Sequence, residues 1–276
     1  MKSWFLAPDF TFTPDGPLRL GAVIPHPSRP TQTLASPRTD AITLPEVQTL
    51  VETNHSHSND VTRTAGVNLF AKFVELASAS IGYETSRRNA LAYGTVDHEI
   101  RSLAAPFTRE FLQSIISTEA VQEHIHSAVF GKRTVYFVSG LRVATSSFTV
   151  TKEKGIGHNT SLSGSGPAGP VPIEVGAGIS SGKESSKTDS YETAPGIIFA
   201  YRLHAIRVRG SGTVDSEMFV NKKAFMHGRP VPDPEPFEVT DVDAEVLKAD
   251  RKEEEDLPKY EMEDLGDEEY CFLAEA

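Results

Sequence analysis

Residues 135–150 read VYFVSGLRVATSSFTV. The stretch opens on four consecutive apolar residues, Val135-Tyr136-Phe137-Val138, and then alternates, with Leu141, Val143 and Thr145 on one parity before Phe148 and Val150 take over the other. A short apolar run followed by strict alternation is the pattern of a strand buried first on both faces and then on one. The parity change predicts a bulge near Ser146-Ser147. A second stretch repeats the theme: Ile197, Phe199, Tyr201, Leu203 and Ala205 alternate with Ile198, Ala200, Arg202, His204 and Ile206. Between them Ile173, Val175, Ala177 and Ile179 alternate with Glu174, Gly176, Gly178 and Ser180. Three strands follow one another, separated by Gly/Ser-rich stretches from Gly155 to Gly169 and from Ser180 to Thr193 that hold no core-forming content.

Towards the N-terminus the pattern becomes mixed. Thr43-Leu44-Pro45-Glu46 has the spacing of a capping box with proline in the first turn, and Val47, Leu50 and Val51 follow on one helical face, which predicts a short helix. Leu69, Phe70, Phe73, Val74 and Ala77 recur at helical spacing, while Ala77, Ala79, Ile81 and Tyr83 continue at spacing two, an ambiguous pattern that fits a helix passing into a strand. Thr108 caps a predicted helix over TREFLQSII, and Thr118 a second in which Val121, Ile125 and Val129 stack at i, i+4, i+8. The body therefore alternates between strand and helix signals.

Charge divides the chain. From Asp233 to Ala276 there are 18 Asp+Glu against 4 Lys+Arg, a balance of −14; the remainder holds 38−18 = 20 acids and 27−4 = 23 bases, a balance of +3. Four prolines at every second position, Pro230, Pro232, Pro234 and Pro236, favour an extended linker at the junction. Beyond it Val246, Leu247, Leu257, Tyr260, Met262, Leu265, Tyr270, Phe272 and Leu273 are scattered among the acids. A segment that only solvates has little use for such residues, so the composition favours docking on something.

Chemical motifs fail on context. Gly178-Ile179-Ser180-Ser181-Gly182 fits a nucleophile elbow by letter, but GKESSKTDSYETAPG after it has almost no apolar residue with which a helix could pack behind the serine. Gly182-Lys183 lacks the rest of a phosphate loop, with Ala177 where glycine belongs and Glu184 where Ser or Thr would hold the metal. Gly164 to Gly169 fits G-x-G-x-x-G, yet Pro167 and Pro170 forbid the helix it would need. His55/His57 and His124/His126 stand at i, i+2 without a cysteine nearby, so no metal site, cofactor or catalytic residue is expected. Cys271 is the only cysteine, no run approaches the roughly 18 apolar residues of a membrane helix, and MKSWFLAPDF breaks at Pro8 and Asp9 before a secretory segment forms; the expectation is a cytoplasmic chain.

The bases Lys132, Arg133, Arg142, Lys152, Lys154, Lys183, Lys187, Arg202, Arg207 and Arg209 are interleaved with the strands. They fit a solvated β-surface, or an amphipathic hairpin that joins a membrane barrel, for which VPIEVGAGIS has about the 9 to 11 residues required.

WFLAPDFTFTPDGPLRLGAVIPHP, VYFVSGLRVATSSFTVTKEKG and TAPGIIFAYRLHAIRV, in this order, resemble the pore-forming domain of the gasdermins, and most the short fungal members tied to heterokaryon incompatibility. The resemblance spans about residues 1 to 225 and rests on regional patterns. It implies an α+β fold, a twisted antiparallel central sheet flanked by helices, for a gasdermin-like pore-forming domain over 1–227, with hairpin-forming regions within about Val74 to Arg101 and Leu141 to Tyr191. It implies acidic phospholipids as partners, contacted by Arg87, Arg88, Lys132, Arg133, Lys152 and Lys154, with no role for nucleic acid. The proline-rich region 228–240 then becomes the candidate cleavage region, marked by Gly228, Phe237, Glu238 and Thr240. Residues 241–276 become an acidic, autoinhibitory tail. A subtilisin-like protease would activate the chain, which would oligomerise in the plasma membrane and cause cell death. The competing readings are a soluble lipid- or protein-binding β-domain without a pore and, behind it, an enzyme.

Overall fold

The computed structural model describes residues 2–52, 65–80, 97–128, 131–152, 189–208, 237–254, 256–266 and 268–274. Its centre is an antiparallel pair, β5 (Val135–Ala144) and β8 (Ile197–Val208). Both are the apolar runs identified above, and every residue of β5 is buried. Each outer edge of this pair is shared by two shorter strands. β2 (Val23–Ile24) and β4 (His98–Leu103) line β5, while β1 (Lys2–Leu6) and β9 (Phe237–Asp241) line β8. β3 (Val47–Glu52) closes one side against β4; β11 (Glu269–Ala274) and β10 (Tyr260–Gly266) extend the other. The nine-stranded order is β10-β11-β1-β8-β5-β4-β3, with β2 and β9 off this path. The sheet is mixed and largely antiparallel: β1 and β11 run parallel, a correction to the wholly antiparallel sheet expected.

Alternate side chains of β5 feed two cores, as the pleat requires. Tyr136 and Val138 join Phe199, Leu203 and the apolar face of α1 (Ala65–Ser80). Val135 and Phe137 join α2 (Arg109–Ile116) and α3 (Glu119–His126). Thr108 caps α2 as expected, its side chain accepting from the Phe111 N–H, whereas Thr118 makes no such bond to α3 and its hydroxyl donates to Ser114 O at 3.2 Å. Aromatic rings weld α1 to the sheet: Phe70 meets Phe199 at 5.1 Å and Phe148 at 5.3 Å, edge to face. Such pairs add about 0.5–1.5 kcal/mol beyond area burial.

Two local expectations are corrected. Val47–Glu52, expected as helix behind Thr43-Leu44-Pro45-Glu46, is strand β3, paired residue by residue with β4 from Val47↔Leu103 to Glu52↔His98. Its β-branched residues suit the pleat, and the open edge of β4 supplies partners that a helix would forfeit. No bulge lies at Ser146-Ser147. β5 ends at Ala144, and β6 (Thr149–Lys152) pairs with β7 (Asp189–Glu192) in a separate two-stranded sheet; the register shifts fall at Val138/Gly140 and Arg142/Val143. The strand expected around Ile173 to Ile179, the glycine-rich motifs, residues 81–96 and the proline-rich stretch through Pro236 lie outside the described residues.

Candidate functional site

The acidic C-terminal segment is part of the sheet. After β9, Asp243 caps α4 (Ala244–Glu253), its Oδ1 accepting the Val246 N–H at 2.8 Å. Val242, Val246, Leu247, Leu265, Cys271 and Phe272 all enter the main core, which accounts for the apolar residues scattered among the acids. Among the described residues of the β10–β11 turn, Gly266 at 87° and Glu268 at 60° have positive φ. Glycine takes that conformation without the steric cost borne by a residue with a Cβ. β11 then lies between β10 and β1, with Trp4 opposite Cys271 and Phe5 opposite Phe272. Burial, with Glu263 adding to it, pushes the Cys271 thiol up to about 12.

Acids of this segment sit on bases of the body. Glu254 meets Arg29 at 2.9 Å and Arg133 at 3.7 Å; Glu263 meets Lys72 at 3.5 Å; Asp250 meets Arg207 at 3.5 Å; Asp241 pairs with Arg202 and stands 3.1 Å from His204 Nε2. Glu269, as enclosed as Asp250, lies 2.6 Å from Arg142 and 3.7 Å from Lys2. Arg142 is 2% exposed, also meets Glu52 at 3.2 Å, and lies 4.8 Å from the Trp4 ring centre. A Cβ at Gly66 would stand 2.7 Å from Arg142 Nη1 and 2.8 Å from Glu52 Oε2, so the start of α1 needs glycine for this pair to close. Arg142 thus ties the end of β3, the centre of the sheet and the C-terminal strand into one knot.

A cavity of about 400 Å³ opens where this segment meets the body, lined among others by His26, Arg29, His124, Arg133, Tyr136, Asp250, Lys252 and Glu254. Burial, reinforced by Arg29, lowers His26 to about 4, and burial also lowers His124. The Ser28 N–H donates to His26 Nδ1 at 3.1 Å, which leaves the ring proton on Nε2.

Ser139, His204 and Asp241 form a row with the spacing of a hydrolytic triad. Asp241 accepts from His204 Nε2, and Nδ1 is 2.7 Å from Ser139 Oγ. Ser139, however, is 3% exposed in the middle of β5, and rings of Phe107 and Phe137 cover the imidazole. Burial lowers His204 to about 4 against the pull of Asp241. The row joins β5, β8 and β9 and presents no reachable nucleophile.

Of the lipid-contacting bases expected, Lys132 and Arg133 lie together before β5, half-buried, with Arg133 engaged by Glu254. Lys152 ends β6 opposite Asp189. Arg87, Arg88 and Lys154 lie outside the described residues. Within the expected cleavage region Gly228 also lies outside them, while Phe237, Glu238 and Thr240 belong to β9, opposite Val208, Arg207 and Ala205; Phe237 is 4% exposed. A protease acting there must first lift β9 from β8. His124 and His126 share no ligand geometry: His126 Nδ1 lies 2.8 Å from Gln122 O, and among the described residues no His, Cys, Asp or Glu cluster has the arrangement of a metal site. Among the same residues no helix is long and apolar enough to cross a membrane, which leaves crossing by strands untouched. The sequence places Arg142 only among the interleaved bases and Tyr136 only in a strand, and does not single out Glu52, Glu269 or His26; the signal available was an arginine set between Leu141 and Val143 inside an otherwise apolar strand. No family model matches the chain, and no curated protein matches it.

Proposed function

We propose that this chain is a gasdermin-like pore-forming protein held inactive by its own C-terminal segment. After a cut in the proline-rich stretch the body binds acidic lipids, oligomerises and permeabilises the plasma membrane, as in the cell death of fungal heterokaryon incompatibility. The inactive chain is cytoplasmic, and the trigger is a protease of the subtilisin type.

The observation that carries this reading is the seating of Asp241, Asp250, Glu254, Glu263 and Glu269 on Arg202, Arg207, Arg29, Arg133, Lys72 and Arg142. A body of formal charge +3 has its bases occupied by a segment of formal charge −14 joined through a proline-rich stretch. Once freed, each exposed base near an anionic bilayer contributes about 1 kcal/mol to attachment. The separate β6–β7 pair supports it further, since residues 153–188 connect its two strands within the region expected to form the second hairpin.

The test is a full-length chain carrying a specific protease site between Gly228 and Pro236, cut in the presence of dye-loaded liposomes. Leakage is expected from cardiolipin or phosphatidylserine liposomes after the cut, none before it, and none from phosphatidylcholine alone. A cut protein that stays folded and releases no dye overturns the reading.

A second reading, a soluble lipid- or protein-binding β-domain without a pore, is favoured by one observation: β11 is inserted between β10 and β1 as an integral strand. Ring-shaped oligomers on the liposomes support the pore; vesicle binding without rings or leakage supports the β-domain.

A further inference from the structure

The cavity between the body and the C-terminal segment has a polar group with no partner among the described residues. Tyr136, 1% exposed, lines it, and its hydroxyl makes no hydrogen bond to any of them. Leaving a buried hydroxyl unpaired is costly, so such a group marks a place where a ligand is accommodated. The cavity is also over-supplied with cations. Arg29 and Arg133 converge on the one carboxylate of Glu254, and the fit is unequal: 2.9 Å to Arg29 but 3.7 Å to Arg133. One planar carboxylate does not satisfy both guanidinium forks, and Lys252 adds a third positive charge to the lining. The second acid, Asp250, is held through its Oδ1 by Thr134 at 3.1 Å and by Arg207 at 3.5 Å. Glu254 itself is easily displaced, because it is the C-cap of α4 with extended backbone (φ −136°, ψ 101°), and its side chain can turn away without unwinding the helix. At the neighbouring end of α3 the Ile125 carbonyl is already bonded by the Arg133 N–H at 3.0 Å, so it does not oppose an anion.

We propose that this cavity binds a phosphate monoester group, which takes the place of the Glu254 carboxylate between Arg29 and Arg133 while the Tyr136 hydroxyl and His26 line its inner wall. A tetrahedral dianion with three acceptor oxygens spans two guanidinium groups where a carboxylate does not. The assignment goes beyond the membrane reading and is tested on the intact, uncut chain, so its outcome is independent of pore formation.

The experiment is calorimetric titration of the full chain with inorganic phosphate at constant ionic strength, with chloride as the reference anion. Phosphate binding is expected, weakened about tenfold in Arg29→Gln by loss of a charge-assisted contact and tightened by a similar factor in Glu254→Gln, which removes the internal competitor. Gain of affinity is a result that misfolding cannot mimic, and a thermal melt checks each variant. In a second arm, phosphatidylcholine vesicles with and without phosphatidic acid are co-sedimented with the uncut chain. Phosphatidic-acid-dependent capture that free phosphate competes away and Arg29→Gln abolishes assigns a lipid headgroup as the source of the phosphate; phosphate binding without such capture assigns a soluble ligand. No preference for phosphate over chloride, or binding unchanged in both variants, overturns the proposal.

Discussion

Replacing Arg142 with methionine would leave Glu269, whose side chain is 8% exposed, with only the 61% exposed Lys2 at 3.7 Å in place of its buried partner. Breaking a buried pair from one side costs about 3–5 kcal/mol, because the orphaned charge stays desolvated. Urea unfolding of Arg142→Met should show a loss of that order. Glu52→Gln, on a carboxylate 26% exposed, should cost under about 1 kcal/mol. Similar losses in the two variants would mean that Arg142 is not the knot described. The imidazoles set a pH window. His26 and His204 are both lowered from 6.5 to about 4, so the folded state favours their neutral forms. Their contribution is present above pH 6.5 and is lost as pH falls through the interval down to about 4, where the unfolded chain takes up protons that the folded one refuses. At one pKa unit per 1.36 kcal/mol the loss reaches roughly 3 kcal/mol per ring. Unfolding free energy measured from pH 7 to 4 should fall, and His26→Asn should flatten the slope between 6.5 and 4; an unchanged slope contradicts the assignment. At residue level the sequence offered one cue to this, the placing of Arg142 between Leu141 and Val143. Arg142 and Arg202 occupy equivalent polar positions in alternating strands, yet one is enclosed and the other bonds an exposed aspartate, and only the long-range partners Glu269 and Glu52 make the difference.

At the scale of elements, local signals were read correctly wherever the chain could satisfy itself locally. The caps illustrate the limit. Thr108 and Thr118 are equivalent in sequence, but only Thr108 bonds a helix N–H. Thr108→Ala should therefore cost about 1 kcal/mol and Thr118→Ala less than half of that, since the latter loses one hydroxyl bond to Ser114 O rather than a cap. Thermal melts of the two variants check the order, and equal costs would show that the cap bond contributes little. β5 and β8 were visible because an apolar run of that length has few alternatives. β3 was misread because a capping-box spacing is a local cue, while the ladder that overrides it belongs to β4, dozens of residues away. Leu50 and Val51, taken as one helical face, are in fact 59% and 57% exposed on the sheet's last strand.

Over the whole molecule, the charge division was visible in the composition and the docking in the scattered apolar residues, but the manner of docking was not, because a parallel ladder between the first and last strands has no local signature. That ladder governs what a cut can do. Cleavage in the proline-rich stretch removes a covalent link and leaves β9–β8, β11–β1 and the ion pairs in place. Val246, Leu247, Leu265 and Phe272 remain buried, at about 1.5–3 kcal/mol for each large apolar side chain. The two pieces should therefore co-elute in size-exclusion chromatography at physiological salt, since screening weakens the exposed ion pairs but not the buried ladder. Under the proposed function, release then requires a competitor for the bases, which an anionic bilayer would supply. Cys271 reports the event: it is the only cysteine, and it is buried between β10 and β1 with its thiol held protonated. Labelling by a thiol reagent should be slow in the intact and the cut protein alike. It should become fast only when the cut protein meets vesicles containing phosphatidylserine or cardiolipin, with the body sedimenting and the C-terminal piece left in the supernatant. Fast labelling on cutting alone would show that the covalent link, rather than the sheet, holds the segment down.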